Sequence, residues 1–111
     1  MASDELVPWL RGTIEADLSR WRAREEAYLA SSRRGRHEAL FEAREQIARC
    51  EAELAILGEY EAARKVMGEA RESPEGVGAG LWACVKTLNR AVGLLGQGYR
   101  FRDGYRREWR P

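Results

Sequence analysis

Residues 37–71 read HEALFEAREQIARCEAELAILGEYEAARKVMGEAR, and this stretch decides the fold. Leu40, Ala43, Ile47, Cys50, Leu54 and Leu57 follow one another at spacings of 3, 4, 3, 4 and 3. That is a heptad-like apolar seam, the signature of a helix that buries one side. Glu38, Glu42, Glu45, Arg49, Glu51 and Glu53 lie between the seam residues and read as a solvated face. Neither a proline nor a turn cluster interrupts the pattern before Ser73-Pro74. A helix from His37 to Arg71 would be about 50 Å long at ~1.5 Å per residue, with Gly58 as the place for a bend. Such a seam packs against helices of its own chain more often than against a second copy.

Two further apolar stripes flank it. Upstream, Leu6, Leu10, Ile14, Leu18 and Trp21 recur at spacings of three and four, with Tyr28 extending the row, so a helix is expected over about 4–30. Ser3 reads as its N-cap, and Asp4 and Glu5 suit the positive end of the helix dipole. Pro8 lacks a backbone donor, so the regular helix begins either there or at Val7 if not at Asp4. Gly12 costs up to about 1 kcal/mol relative to Ala in a helix and is compatible with close packing. Downstream, Leu81, Cys84, Val85, Leu88, Ala91, Val92 and Leu95 share one face of a helix over about 81–95. Gly96 and Gly98 then end it, one of them in the left-handed conformation.

The breaks between helices are Ser31-Ser32-Arg33-Arg34-Gly35 and Ser73-Pro74-Glu75-Gly76-Val77-Gly78-Ala79-Gly80. The second is a flexible connector. It is no phosphate-cradling loop, because no strand precedes it and no Gly-Lys-Ser/Thr ending follows. Three stripes joined by short connections predict an all-α chain, an antiparallel three-helix bundle with a long central helix in a single domain over 1–111.

Composition agrees with a folded chain: 44% of the 111 residues are apolar and 33% charged. The formal net charge of +1 gives no global argument for nucleic acid or membrane binding. The charge is uneven, however. Residues 36–72 hold six basic and nine acidic side chains, whereas 99–111 hold five Arg against Asp103 and Glu108. This contrast can guide docking of the tail on the body or of one chain on another. No stretch is apolar enough to cross a bilayer, and the first residues lack the pattern of a secretory signal. A cytoplasmic protein with free thiols is therefore expected, with Cys50 and Cys84 buried on their stripes.

Nothing in the chain proposes catalysis. His37 is the single histidine, so neither a His-based triad nor a two-His metal site can form within one chain. It reads as an exposed residue at a helix start. Glu38, Glu42 and Glu45 have the spacing of carboxylate sites in bundles, but the Glu-x-x-His pairs of such sites are missing. No enzyme activity, cofactor, metal or small-molecule substrate is implied.

The tail offers the candidate surface. Arg100, Arg102, Tyr105, Arg106, Arg107, Trp109 and Arg110 interleave charge with aromatic rings. Such a segment can stack on bases and contact phosphates of single-stranded nucleic acid. It can equally pack on the bundle, burying Tyr99, Phe101, Tyr105 and Trp109 while the Arg stems reach outward. The packed arrangement is favoured, because four exposed aromatics would leave a large adhesive patch. Trp9, Trp21 and Trp82 likewise read as core or rim residues. The expected function is a non-enzymatic protein-interaction or self-association module. The alternative is a small nucleic-acid-binding accessory protein that uses the tail.

Three segments carry a family likeness: Leu6-Val7-Pro8-Trp9-Leu10-Arg11, Ile56-Leu57-Gly58-Glu59-Tyr60-Glu61, and the close from Leu94-Leu95 through Tyr99 to Tyr105-Arg106-Arg107-Glu108-Trp109-Arg110-Pro111. With them the chain resembles an uncharacterised actinobacterial and phage family, domain of unknown function 6221. The closing Tyr-Arg-x-Glu-Trp-Arg-Pro is the most specific part. Relatives often carry Asp-His-Pro where Arg102-Asp103-Gly104 stands here, and His-Asp-Pro in place of His37-Glu38-Ala39. The resemblance implies no activity. It does imply that the tail is an integral element of the fold.

Overall fold

A computed structural model describes residues 4–32, 34–71 and 78–111. It contains three helices, α1 (Leu6–Ala30), α2 (Arg36–Arg71) and α3 (Ala79–Gln97), followed by a 3-10 turn at Arg107–Trp109. No strand occurs among the described residues, and α2 packs against both α1 and α3, which makes the protein an all-α bundle with a long central helix. Ser3 and residues 73–77, read above as a cap and part of a connector, lie outside the described residues. The chain forms two compact units, Met1–Leu10 with Ala55–Pro111, and Arg11–Leu54.

The Arg11–Leu54 unit is a helical hairpin. Its antiparallel register is fixed by pairs that run in opposite directions along the two helices: Arg22 with Glu51 at 3.8 Å and Arg44 with Glu25 at 3.1 Å. Gly35, at φ +83°, makes the reversal that an L side chain rarely adopts. The Arg36 guanidinium donates to the Ser31 carbonyl at 2.8 Å and ties the turn to the start of α2. Ile14, Leu18, Leu40, Ala43 and Cys50 are buried between the helices.

One member of this core was not anticipated from the pattern. Asp17, 1% exposed, is a buried carboxylate. The Arg20 guanidinium donates to it, and that of Arg49 lies 4.0 Å from its other oxygen. Arg49 also donates to Gln46 at 2.8 Å and to Glu53 at 2.8 Å. Arg49, read from sequence as part of the solvated face, is therefore turned towards a buried charge, and Glu53 of the same face accepts from it. A carboxylate in a core needs such donors, because burying it unpaired costs several kcal/mol.

In the other unit the core consists of Leu6, Val7, Leu10, Leu57, Tyr60, Met67, Val85, Val92, Tyr99 and Trp109. Tyr60 donates its hydroxyl to Asn89 at 3.3 Å, joining α2 to α3. The Arg64 guanidinium reaches Asp4 at 3.0 Å, and this hydrogen bond raises the Arg64 pKa above its ordinary value.

Several local expectations change. Helix α1 begins at Leu6, with Asp4 and Glu5 in the preceding turn. Helix α3 starts at Ala79 instead of Leu81, with Gly78 as its cap, and it continues to Gln97. Neither Gly96 nor Gly98 is left-handed: Gly98 has φ −63°, and the chain continues in tight turns with Tyr99 N–H donating to the Gly96 carbonyl at 2.9 Å. Gly96 serves closeness instead, since a Cβ there would lie 3.2 Å from a Leu6 methyl. Gly12 does not mark close packing, because a Cβ at that position would meet nothing within 4 Å. Cys84, expected in the core, is exposed, whereas Cys50 is buried.

Candidate interaction surface

The tail is built onto its unit by aromatic packing. Trp9 of α1, Tyr105 and Trp109 form a triangle of rings with centroids 5.8, 5.3 and 5.6 Å apart. At these separations the rings touch one another and leave no room for a cation between them, so the triangle is an anchor and not a ligand cage. Gly104, at φ +92°, lets the preceding turn pass close to the Trp9 indole. Arg106 adds an ion pair to Glu5, and its guanidinium lies 5.5 Å from the Trp109 centroid.

Between the buried Tyr99 and this anchor the chain makes a hydrogen-bonded reversal. Arg102 N–H donates to the Tyr99 carbonyl at 3.0 Å, and Tyr105 N–H donates to that of Arg102 at 3.2 Å. Phe101 stands in this reversal with 87% of its surface exposed. The sequence reading grouped it with the buried tail aromatics, and the structure separates it from them. The reason is local: a turn pinned at both ends can bury the residues flanking it but must direct its apex outward.

The seven residues picked out from the sequence divide accordingly. Trp109, 7% exposed, and half-buried Tyr105 hold the tail down. Arg106 is engaged with Glu5. Arg100 stacks on Phe101 at 4.6 Å and donates to the Gln97 carbonyl at 3.0 Å, and Arg102 lies 5.5 Å from the Tyr99 centroid. Arg107 and Arg110 are exposed, and their guanidinium groups make no ion pair among the described residues. The composite is an exposed aromatic with basic neighbours, held in a defined conformation.

The remaining chemistry-bearing groups stay apart. His37 is exposed, and no group of three His, Cys, Asp or Glu among the described residues is placed to hold a metal. A small cavity of about 130 Å³ lies at the hairpin turn of the Arg11–Leu54 unit, lined by Tyr28, Ser31, Arg34, Gly35, Arg36 and Ala39. No helix among the described residues is long and apolar enough to cross a membrane.

Fold and tail together define a small all-helical protein whose C-terminal segment is a structural part of the bundle. Residues 3–111 match the model of a family of unknown function, DUF6221, and the chain belongs to that family. No curated protein and no solved structure matches it.

Proposed function

We propose that this protein is a non-enzymatic protein-interaction module acting in the cytoplasm. The observation that carries the reading is Phe101, exposed on a turn flanked by buried Tyr99 and half-buried Tyr105. An aromatic residue beside arginines is the composition that dominates binding energy in protein interfaces. Because the turn is already ordered, docking loses little conformational entropy. The seam of α2 is not the contact surface. Leu40, Ala43, Cys50 and Leu57 are buried within the chain, so association falls to exposed side chains.

The test is a pull-down from the cytosol of the native host, treated with nuclease, using the wild-type chain and Phe101→Asp as baits. A nuclease-resistant protein held by the first bait and lost by the second supports the reading. Recovery of no protein, with the bait monomeric, sinks it.

The second reading, a nucleic-acid-binding accessory protein, is favoured by the Arg100–Phe101 stack together with exposed Arg107 and Arg110. It requires affinity for a labelled single-stranded oligonucleotide that falls steeply with salt, as phosphate contacts dictate. Unchanged affinity after Arg107→Ala plus Arg110→Ala removes it.

A further inference from the structure

The cluster that holds the tail down leaves two of its own polar atoms without a partner. The Tyr105 hydroxyl and the Trp109 indole N–H are buried, and no donor or acceptor among the described residues bonds either of them. The rings that surround them, Trp9 and each other, are weak acceptors compared with an oxygen. Buried polar groups are bonded in almost every folded protein, because a buried donor forfeits the bonds that it makes to water when free. The other buried tyrosine of this unit follows that rule: Tyr60 donates its hydroxyl to Asn89.

The polar contact that the seat does make offsets this only weakly. Arg106 pairs with Glu5, but both side chains are more than half exposed, and such a pair contributes little. Beyond the triangle, the chain end rests on α3 through apolar contact, since a Cβ at Gly93 would lie 3.7 Å from that of Pro111. Ring burial therefore favours the seat and the two orphaned atoms oppose it. Lifting the tail returns both of them to water.

We propose that residues 105–111 form a releasable strap, which leaves its seat on Trp9 while the helices stay folded. The consequence is regulatory. Tyr105 N–H donates to the Arg102 carbonyl at 3.2 Å and Tyr105 closes one end of the Phe101 turn, so release frees that turn at one side. The regulatory step rests on the interaction-module reading: a partner that binds the ordered turn stabilises the seated strap, and seating in turn favours the partner.

The experiment is hydrogen exchange of the Trp109 indole N–H, followed by NMR in the full chain, with the signal assigned through Trp109→Phe. This proton is shielded from water in the seated state and exchanges when the strap opens. Its protection is expected to be at least about tenfold below that of the Leu57 and Tyr60 amides in the core of the same unit. Low urea should barely change it, because opening the strap uncovers little surface. Tyr105→Phe removes one orphaned atom and keeps the ring. It is expected to raise the Trp109 protection by about 5-fold or more, the factor that one unbonded buried group costs, with unchanged helical circular dichroism. Equal protection and equal urea dependence for the three protons would mean that the strap opens only with the whole unit, and would overturn the inference. So would unchanged or lower protection in Tyr105→Phe, which would show that the hydroxyl is bonded in the seat. Neither result touches the interaction-module reading, which the pull-down decides through Phe101→Asp.

Discussion

A Cβ at Gly104 would lie 2.5 Å from the indole nitrogen of Trp9, closer than real side chains approach. Residues nearly a hundred positions apart are thereby locked together: the tail can be seated on α1 only because one of them has no side chain. The φ of +92° adds a conformational cost for any other residue. Gly104→Ala is therefore expected to destabilise the protein by about 1–3 kcal/mol, the range for overpacking. Urea unfolding measures it; a loss below about 0.5 kcal/mol, an ordinary surface effect, would show that the tail is not seated in this way.

Gly12 and Gly58 lie inside helices, and a Cβ at either would meet nothing within 4 Å. Replacing each with Ala should stabilise the chain by about 0.5–1 kcal/mol, the helix propensity difference. A destabilising result would mean that one of these sites is closely packed after all.

Trp109 and Phe101 belong to the same tail but to opposite environments. Trp109→Ala should cost about 3–5 kcal/mol, as for other buried aromatics. Phe101→Ser should change stability by less than about 0.5 kcal/mol. Equal losses at the two positions would contradict the division of the tail into anchor and exposed apex.

Asp17→Ala removes the acceptor that Arg20 and Arg49 share at the hairpin. Since both guanidinium groups keep access to water, the expected loss is about 1–3 kcal/mol, below that for a fully buried pair. Thermal unfolding followed by circular dichroism measures the loss, and an unchanged Tm would remove the network from the stabilising contacts.

Cys84 is exposed and Cys50 buried. A thiol reagent should modify one equivalent promptly in the native protein and the second only on unfolding. Prompt modification of both, or of neither, would be inconsistent with that burial.

The helical content was legible in the sequence because spacing decides which side chains share a face, whatever that face meets. Leu40, Ala43, Cys50 and Leu57 were placed inside on that ground alone, and they are inside. Asp17 carried a usable signal: it lies three residues after Ile14, on the same face as the apolar row, and position was the better guide than polarity. The Gly104 conformation carried none, because the need for a glycine there arises from the Trp9 ring, which local sequence does not reveal.

By itself, then, the sequence determined three amphipathic helices and which face of each is apolar, since these follow from short-range periodicity. Only the tertiary structure decided how much of each apolar face is covered. It left Cys84, Trp82 and Phe101 outside and drew Asp17, Arg49 and Glu53 into a network. That outcome depends on which surfaces meet, a property of residues distant along the chain and not of any one segment.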